Sequence, residues 1–220
     1  MRAIATASGY LTSTIASVAY IIIIPSSSYP VTDAFSGSGA LSASWTNTTS
    51  SAYVSLIQAS GTVVPSVSAK QGLAIYTGLA FTNDQYSQVK FVSHTSNTDS
   101  TGPCVRMSAA ASGVCWIADS AKIYVLTAGS GVRSVVTCPL PASGDTLQLS
   151  VVGSTYTCTD VTTGLYASGT DTTYSAGSPG LLVDQRPSTS YALAQFQSDC
   201  LPSCGVTSML TATPTFSLAG

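Results

Sequence analysis

Asp145-Thr146-Leu147-Gln148-Leu149-Ser150-Val151-Val152-Gly153-Ser154-Thr155-Tyr156-Thr157-Cys158-Thr159 is the stretch that decides the fold class of this chain. Leu147, Leu149 and Val151 recur with a period of two. They share one face of an extended strand, while the hydroxyl and amide residues between them take the other. Gly153-Ser154 makes a two-residue hairpin turn that sends the chain back through Thr155–Thr159. The same alternation holds in Gln85-Tyr86-Ser87-Gln88-Val89-Lys90-Phe91-Val92, where Ser87, Val89 and Phe91 oppose Tyr86, Gln88, Lys90 and Val92.

Outward from this hairpin the pattern repeats. Short β-branched and aromatic runs at 53–58, 73–77, 86–93, 105–108, 114–118, 122–127, 132–138, 146–152, 155–159, 191–197 and 213–218 are separated by Gly, Ser, Pro and Asn. Such regular turn signals indicate an all-β sandwich or barrel. No stretch sustains a 3.6-residue period over ten residues, so little helix is expected. There is no internal repeat and no break after residue 33, which makes 33–220 one domain.

Composition narrows the chemistry. The 220 residues include no glutamate; all nine acids are aspartate, set against three Lys and four Arg. Charged residues make up only 7% and the net charge is −2. Seven scattered cations cannot neutralise a run of phosphates, which excludes nucleic acid as a partner. Strand surfaces built from Ser and Thr repel one another weakly, and a chain so poorly charged packs readily against neighbours.

Residues 1–32 differ from the rest. They hold one charge, Arg2, and an apolar run from Ile15 to Ile21-Ile22-Ile23-Ile24 before Pro25. The run is too short to span a bilayer as a helix. Two readings fit it. One is an extended arm, since four successive β-branched residues favour a strand. The other is a secretory signal with small residues Ser26 and Ser28 at a cleavage site.

Asp33-Ala34-Phe35-Ser36-Gly37-Ser38-Gly39-Ala40-Leu41 with Trp45-Thr46, then Phe81-Thr82-Asn83-Asp84-Gln85-Tyr86-Ser87-Gln88-Val89, then Gly102-Pro103-Cys104-Val105-Arg106, form an ordered series of fragments. Gly144–Leu149, Gly153–Thr155, Asp171–Gly180 and Phe216–Gly220 continue it. The series resembles bacterial and phage domains of the concanavalin A-like lectin/glucanase class (LamG-like jelly roll) over 33–220. The resemblance implies a jelly-roll sandwich of two curved antiparallel sheets, to which residues 1–32 are an added arm. Trp45, by its place in the opening motif, is expected in the core.

Catalytic members of that class use two glutamates flanking an aspartate on one strand, one as nucleophile and one as acid/base. A chain without glutamate has no such pair, and the nearest aspartates of comparable chemistry, Asp160 and Asp171, are separated by a turn region. His94, the one histidine, sits at a strand end with no Gly-x-Ser-x-Gly elbow anywhere in the chain, so a Ser-His-Asp triad is not indicated. Cys200 and Cys204 have a ligand-like spacing, but no matching second pair accompanies them, and a zinc site needs three or four ligands. No enzyme activity and no cofactor are expected. The resemblance makes structural calcium the one ion to weigh, with Asp33, Asp84, Asp171 and Asp184 offering hard oxygens.

Six cysteines point to three disulfides and an oxidising final environment, against the alternative of buried free thiols in a reduced cell. Cys104 and Cys115 flank a turn-like segment and would face each other in a hairpin; Cys200 and Cys204 close a small loop; Cys138 and Cys158 remain. Asn47-Thr48-Thr49 is an N-glycosylation acceptor pattern. Trp116, Tyr124, Tyr166 and Tyr174 are the candidate platforms for stacking a sugar ring.

Two functional expectations follow. The first is a non-catalytic structural component, on the surface of an extracellular assembly or virus particle, held to itself or to a neighbouring subunit through Ile15 and Ile21–Ile24 of the arm. The alternative is a secreted, glycan-binding, lectin-like module.

Overall fold

Alternating apolar and polar residues sort this chain into two antiparallel sheets laid face to face. The structure, a computed structural model, describes residues 29–48, 50–93, 100–118 and 120–202. The first eight strands are β1 (Val31–Asp33), β2 (Ser38–Ala40), β3 (Trp45–Asn47), β4 (Leu56–Ala59), β5 (Val63–Pro65), β6 (Gln71–Tyr76), β7 (Gln85–Phe91) and β8 (Gly102–Met107). The rest are β9 (Gly113–Ile117), β10 (Lys122–Thr127), β11 (Ser130–Thr137), β12 (Thr146–Val152), β13 (Thr155–Asp160), β14 (Tyr166–Thr170), β15 (Ser178–Asp184) and β16 (Leu193–Cys200). No helix occurs among the described residues.

Sheet A runs β14-β13-β12-β7-β16-β5-β4-β2, with β1 also paired to β16; sheet B runs β11-β10-β9-β8-β15-β6-β3. Neither closes into a barrel, and the architecture is the jelly-roll sandwich expected from the sequence. The β12–β13 hairpin has the register the opening stretch calls for, with Val152 opposite Thr155 and Leu147 opposite Asp160. Ile15, Ile21–Ile24, His94, Cys204 and the 213–218 run lie outside the described residues.

The inner faces make the core. Val89, Phe91, Leu147, Leu149, Val151, Tyr156 and Phe196 of sheet A meet Ala74, Val105, Val114, Trp116, Ile123, Val125, Leu181 and Val183 of sheet B. Trp45 lies in this core, 4.6 Å ring to ring from Phe196, and its Nε1 donates to Asp33. The two outer faces differ. Sheet A turns Gln88, Gln148, Ser150, Thr157 and Thr159 outward. The outer face of sheet B is itself apolar: Leu73, Ile75, Met107, Ile117, Leu126, Leu182 and the cystine of Cys104 and Cys115 form a second cluster, against which Tyr53 and Tyr124 pack. β8, β9 and β15 are therefore buried on both faces, which is unusual for antiparallel strands unless loops cover them.

Two disulfides lie wholly among the described residues. Cys104 and Cys115 sit directly opposite on β8 and β9, Cα to Cα 4.0 Å. Cys138, just past β11 of sheet B, is bonded to Cys158 of β13 in sheet A, Cα to Cα 5.9 Å, so this bond crosses the sandwich. Cys200 is also disulfide-bonded; the expected pairing with Cys204 falls outside the described residues.

Candidate functional site

Arg106 ties several of the motif fragments together. The residue is 4% exposed, and its guanidinium reaches three distant segments. Nε donates to the Asn83 carbonyl at 2.8 Å, one terminal nitrogen donates to the Tyr174 carbonyl at 3.0 Å, and the other donates to the Gly153 carbonyl at 2.8 Å and to Asp84 Oδ1 at 3.3 Å. Asp84 Oδ1 also accepts the Gly153 N–H. The Gln85 amide donates to the carbonyls of Thr82 and Gly177. Gly177 has φ +143° and lies against the Arg106 backbone, where a Cβ would come within 2.4 Å of the Arg106 carbonyl carbon. The fragments at 81–89, 102–106, 153–155 and 171–180 thus each supply one part of a single polar knot. Every donor in it is aimed at protein, so its work is architectural.

The knot borders an open depression of about 450 Å³ beside Asp84, Gly153 and Pro202, which carries no aromatic ring. The depression with aromatic walls lies on the outer face of sheet B. It measures about 430 Å³, within the roughly 300–1,000 Å³ of small-ligand sites. Ile117, Leu126 and Leu182 form its floor, and the rings of Tyr53 and Tyr124 stand against it. Gln71, Ser100, Ser120, Ser130 and Arg186 supply a polar rim. The sequence places Tyr124 here by alternation: Ile123 and Val125 face the core, so Tyr124 and Leu126 face out. Tyr53 is held by its hydroxyl, which donates to the Gly129 carbonyl at 2.9 Å. Gly129 has φ +85°, and a Cβ there would come within 2.6 Å of the Tyr53 ring. Burial pushes the Tyr53 phenol up to about 12; Arg186 opposes the shift and Asp184 adds to it. The phenol stays protonated and neutral at physiological pH.

Arg186 is the cation described at this rim, and it is half exposed. Its Nε donates to both oxygens of the fully buried Asp184, at 2.9 and 3.1 Å. Asp184 also accepts the backbone N–H groups of Arg186 and Ser100. The ion pair places a guanidinium beside the depression with its charge largely balanced, so this rim offers hydrogen bonds more than net charge.

The four aromatic candidates do not line up on one sheet. Trp116 is a correction: it is 0% exposed between the sheets, so it is a core residue and no sugar can reach its ring. β9 is buried on both faces, and Trp116 shares the core side with Val114 while Cys115 and Ile117 belong to the outer apolar cluster. Tyr124 lines the depression. Tyr174 is half buried, packs against the core edge and shares a hydrogen bond with Thr127 at 2.9 Å. Tyr166 is 71% exposed, on edge strand β14 of sheet A. Tyr53, Gln71 and Arg186 were not singled out in the sequence: Gln71 opens β6 of sheet B, and loops bring Tyr53 and Arg186 to it from separate parts of the chain.

The aspartates weighed for calcium are each engaged by donors of the protein. Asp33 accepts from Phe35 N and Trp45 Nε1; Asp171 accepts from Thr173 N and pairs with Arg133; Asp84 and Asp184 are engaged as described above. Asp160 caps its turn through Thr162 and Thr163. Among the described residues, no three His, Cys, Asp or Glu side chains gather at one point.

No known protein family matches the sequence, and no curated protein resembles it closely enough to count. In structure the chain is similar to the exoplasmic/lumenal domain of VIP36 in its Ca²⁺/Man-bound form, with 11% identity over 80% of this chain and 91% of that one, at a TM-score of 0.50. The fold is the concanavalin A-like jelly roll. The chain is also similar to a mutant of the GH43 protein BlXynB from Bacillus licheniformis, with 10% identity over 86% of this chain and 42% of that one, at a TM-score of 0.50. Carbohydrate binding module CBM66 from Bacillus subtilis shares 13% identity over 70% of this chain and 95% of its own, at a TM-score of 0.48. At these identities the likeness is one of fold. No helix among the described residues is long and apolar enough to cross a membrane.

Proposed function

We propose that this protein is a non-catalytic, lectin-like module that binds a carbohydrate in the depression on the outer face of sheet B. The observation that carries the reading is the pairing of two tyrosine rings with an apolar floor and a rim of amide and hydroxyl groups beside the charge-balanced Arg186. A pyranose has just such a division, an apolar C–H face and a hydroxyl edge, and aromatic rings with a polar handle suit it. A non-catalytic role is supported by the absence of glutamate from the chain and by the local engagement of the described aspartates. Hydrolysis of a glycosidic bond takes two free carboxyl groups on either side of it. The disulfides favour an oxidising compartment, secreted or lumenal.

A glycan array followed by calorimetry on the strongest ligand tests this. Tyr124→Ala is expected to weaken binding at least tenfold, and prolonged incubation is expected to release no new reducing ends. Binding unchanged by Tyr124→Ala refutes the assignment of the site, and turnover refutes the non-catalytic reading.

A second reading, a surface or decoration component of an extracellular assembly or virus particle, is supported by one observation. Where edge strands β11 and β14 meet, Val132, Leu140 and Leu165 are each more than half exposed. The arm 1–32 would add to such contacts. Concentration-dependent association in sedimentation, lost on deleting the arm, is the result expected under this reading.

A further inference from the structure

The outer face of sheet A is ordered in a way that neither the fold nor the depression requires. The registers of six neighbouring strands align one residue from each into a row: Thr32, Gln197, Gln88, Gln148, Thr159 and Tyr166. At ~4.8 Å between strands the row spans about 24 Å. Its amides are joined in one direction. Gln148 Nε2 donates to Gln88 Oε1 at 3.2 Å, Gln88 Nε2 to Gln197 Oε1 at 3.5 Å, and Gln197 Nε2 to the Tyr86 hydroxyl at 2.8 Å. Each link fixes the orientation of an amide that would otherwise rotate, and the links polarise one another along the chain. A primary amide has two N–H donors and two acceptor lone pairs. The links use one donor of each glutamine, and each amide has a second donor beyond them.

We propose that this face is a second carbohydrate site, which lays an extended, uncharged polysaccharide across the strands from Thr32 towards Tyr166. Charge selects the occupant. The row itself carries none; the adjoining rows hold one cation, Lys90, and one anion, Asp199, so a polyanion or polycation finds no matching field. An apolar partner would strip water from three amides and offer nothing in return, which is unfavourable. A neutral, hydroxyl-rich chain meets each donor and acceptor along its length. Tyr166, 71% exposed at the end of the row, gives that chain a ring to stack on. This site lies on the opposite face of the sandwich from the Tyr53 and Tyr124 depression and does not depend on it.

Affinity electrophoresis of the full chain tests the proposal, in native gels containing hydroxyethyl cellulose, xylan, mixed-linkage β-glucan or galactomannan, with polygalacturonate as the charged control. Retardation by at least one neutral polymer is expected. Tyr166→Ala and Gln148→Ala, both on an outward face, are each expected to weaken it at least fivefold, while Tyr124→Ala leaves it unchanged. No retardation by any neutral polymer overturns the proposal, as does equal retardation by polygalacturonate. Loss through Tyr124→Ala alone also overturns it while leaving the depression's role intact. Sedimentation showing a dimer broken by Gln148→Lys would identify the face as a self-association surface and overturn it as well.

Discussion

Replacing Arg106 by alanine removes a side chain that reaches three distant segments at once. The carbonyls of Asn83, Tyr174 and Gly153 and the carboxylate of Asp84 then lose charged donors. Hydrogen bonds to charged groups contribute about 1.5–3 kcal/mol each, and breaking a buried ion pair costs about 3–5 kcal/mol. Asn83 and Gly153 are exposed and Asp84 partly so, which lets water replace part of the loss. The expected destabilisation of Arg106→Ala is therefore about 3–4 kcal/mol. The backbone adds a second, separable effect. Arg106 has φ +51°, a conformation that a Cβ disfavours by roughly 1–2 kcal/mol and glycine adopts freely. Glycine gives back part of that through its greater freedom when unfolded. Arg106→Gly should then be less destabilised than Arg106→Ala, by up to about 1 kcal/mol. Urea denaturation with the disulfides intact measures both, with the m-value checking that the transition stays two-state. An Arg106→Ala protein within about 1 kcal/mol of the parent, or one more stable than Arg106→Gly, refutes the view that this knot holds the sandwich together.

Other outcomes follow from the same geometry. Gly129→Ala forces a Cβ to within 2.6 Å of the Tyr53 ring at a positive φ, so it should displace that ring and abolish ligand binding in the depression, as titration would show, while the far face of sheet A is unaffected. The Cys138–Cys158 bond closes 20 residues across the two sheets, and replacing both by alanine should lower stability by about 3 kcal/mol in a denaturant titration. Burial raises the phenols of Tyr29, Tyr86 and Tyr156 as well as that of Tyr53, which lies at about 12. Each folded pKa lies above the unfolded 10, so the folded chain holds more protons above pH 10. The stability they contribute is complete below pH 10 and falls as pH rises towards 12. Tyr53→Phe should show a shallower alkaline decline than the parent in melts taken between those values.

How far the sequence alone reaches depends on where alternation survives. β10 and β12 have the bounds read from their two-residue period, because one face of each is apolar and the other polar. β15 was not marked as a run. Leu181-Leu182-Val183 is continuously apolar because both faces of that strand are covered, and a period of two cannot show in it. β14, Tyr-Ala-Ser-Gly-Thr, is an edge strand with little intrinsic preference and is held by its partner β13. The misplacement of Trp116 has the same origin as the missed β15: when Val114, Cys115, Trp116 and Ile117 are all apolar, nothing local says which pair faces the depression. Tyr53 and Arg186 reach the site through loops, and their meeting depends on tertiary packing that no local pattern carries. Asp84, Gln85 and Arg106 were visible as separate fragments, and the structure shows that they are parts of one knot.

β16 sits in the interior of sheet A, between β7 on one side and β5 and β1 on the other, although it is the last described strand in the chain. During synthesis the earlier strands of that sheet therefore emerge from the ribosome with a gap among them that only residues near 200 can fill. Until then β7 exposes an unpaired edge and Val89 and Phe91 lack their neighbour Phe196. Pairings so distant in sequence slow folding. Sheet A of the nascent chain thus stays incomplete, with an apolar edge exposed, until β16 has been made.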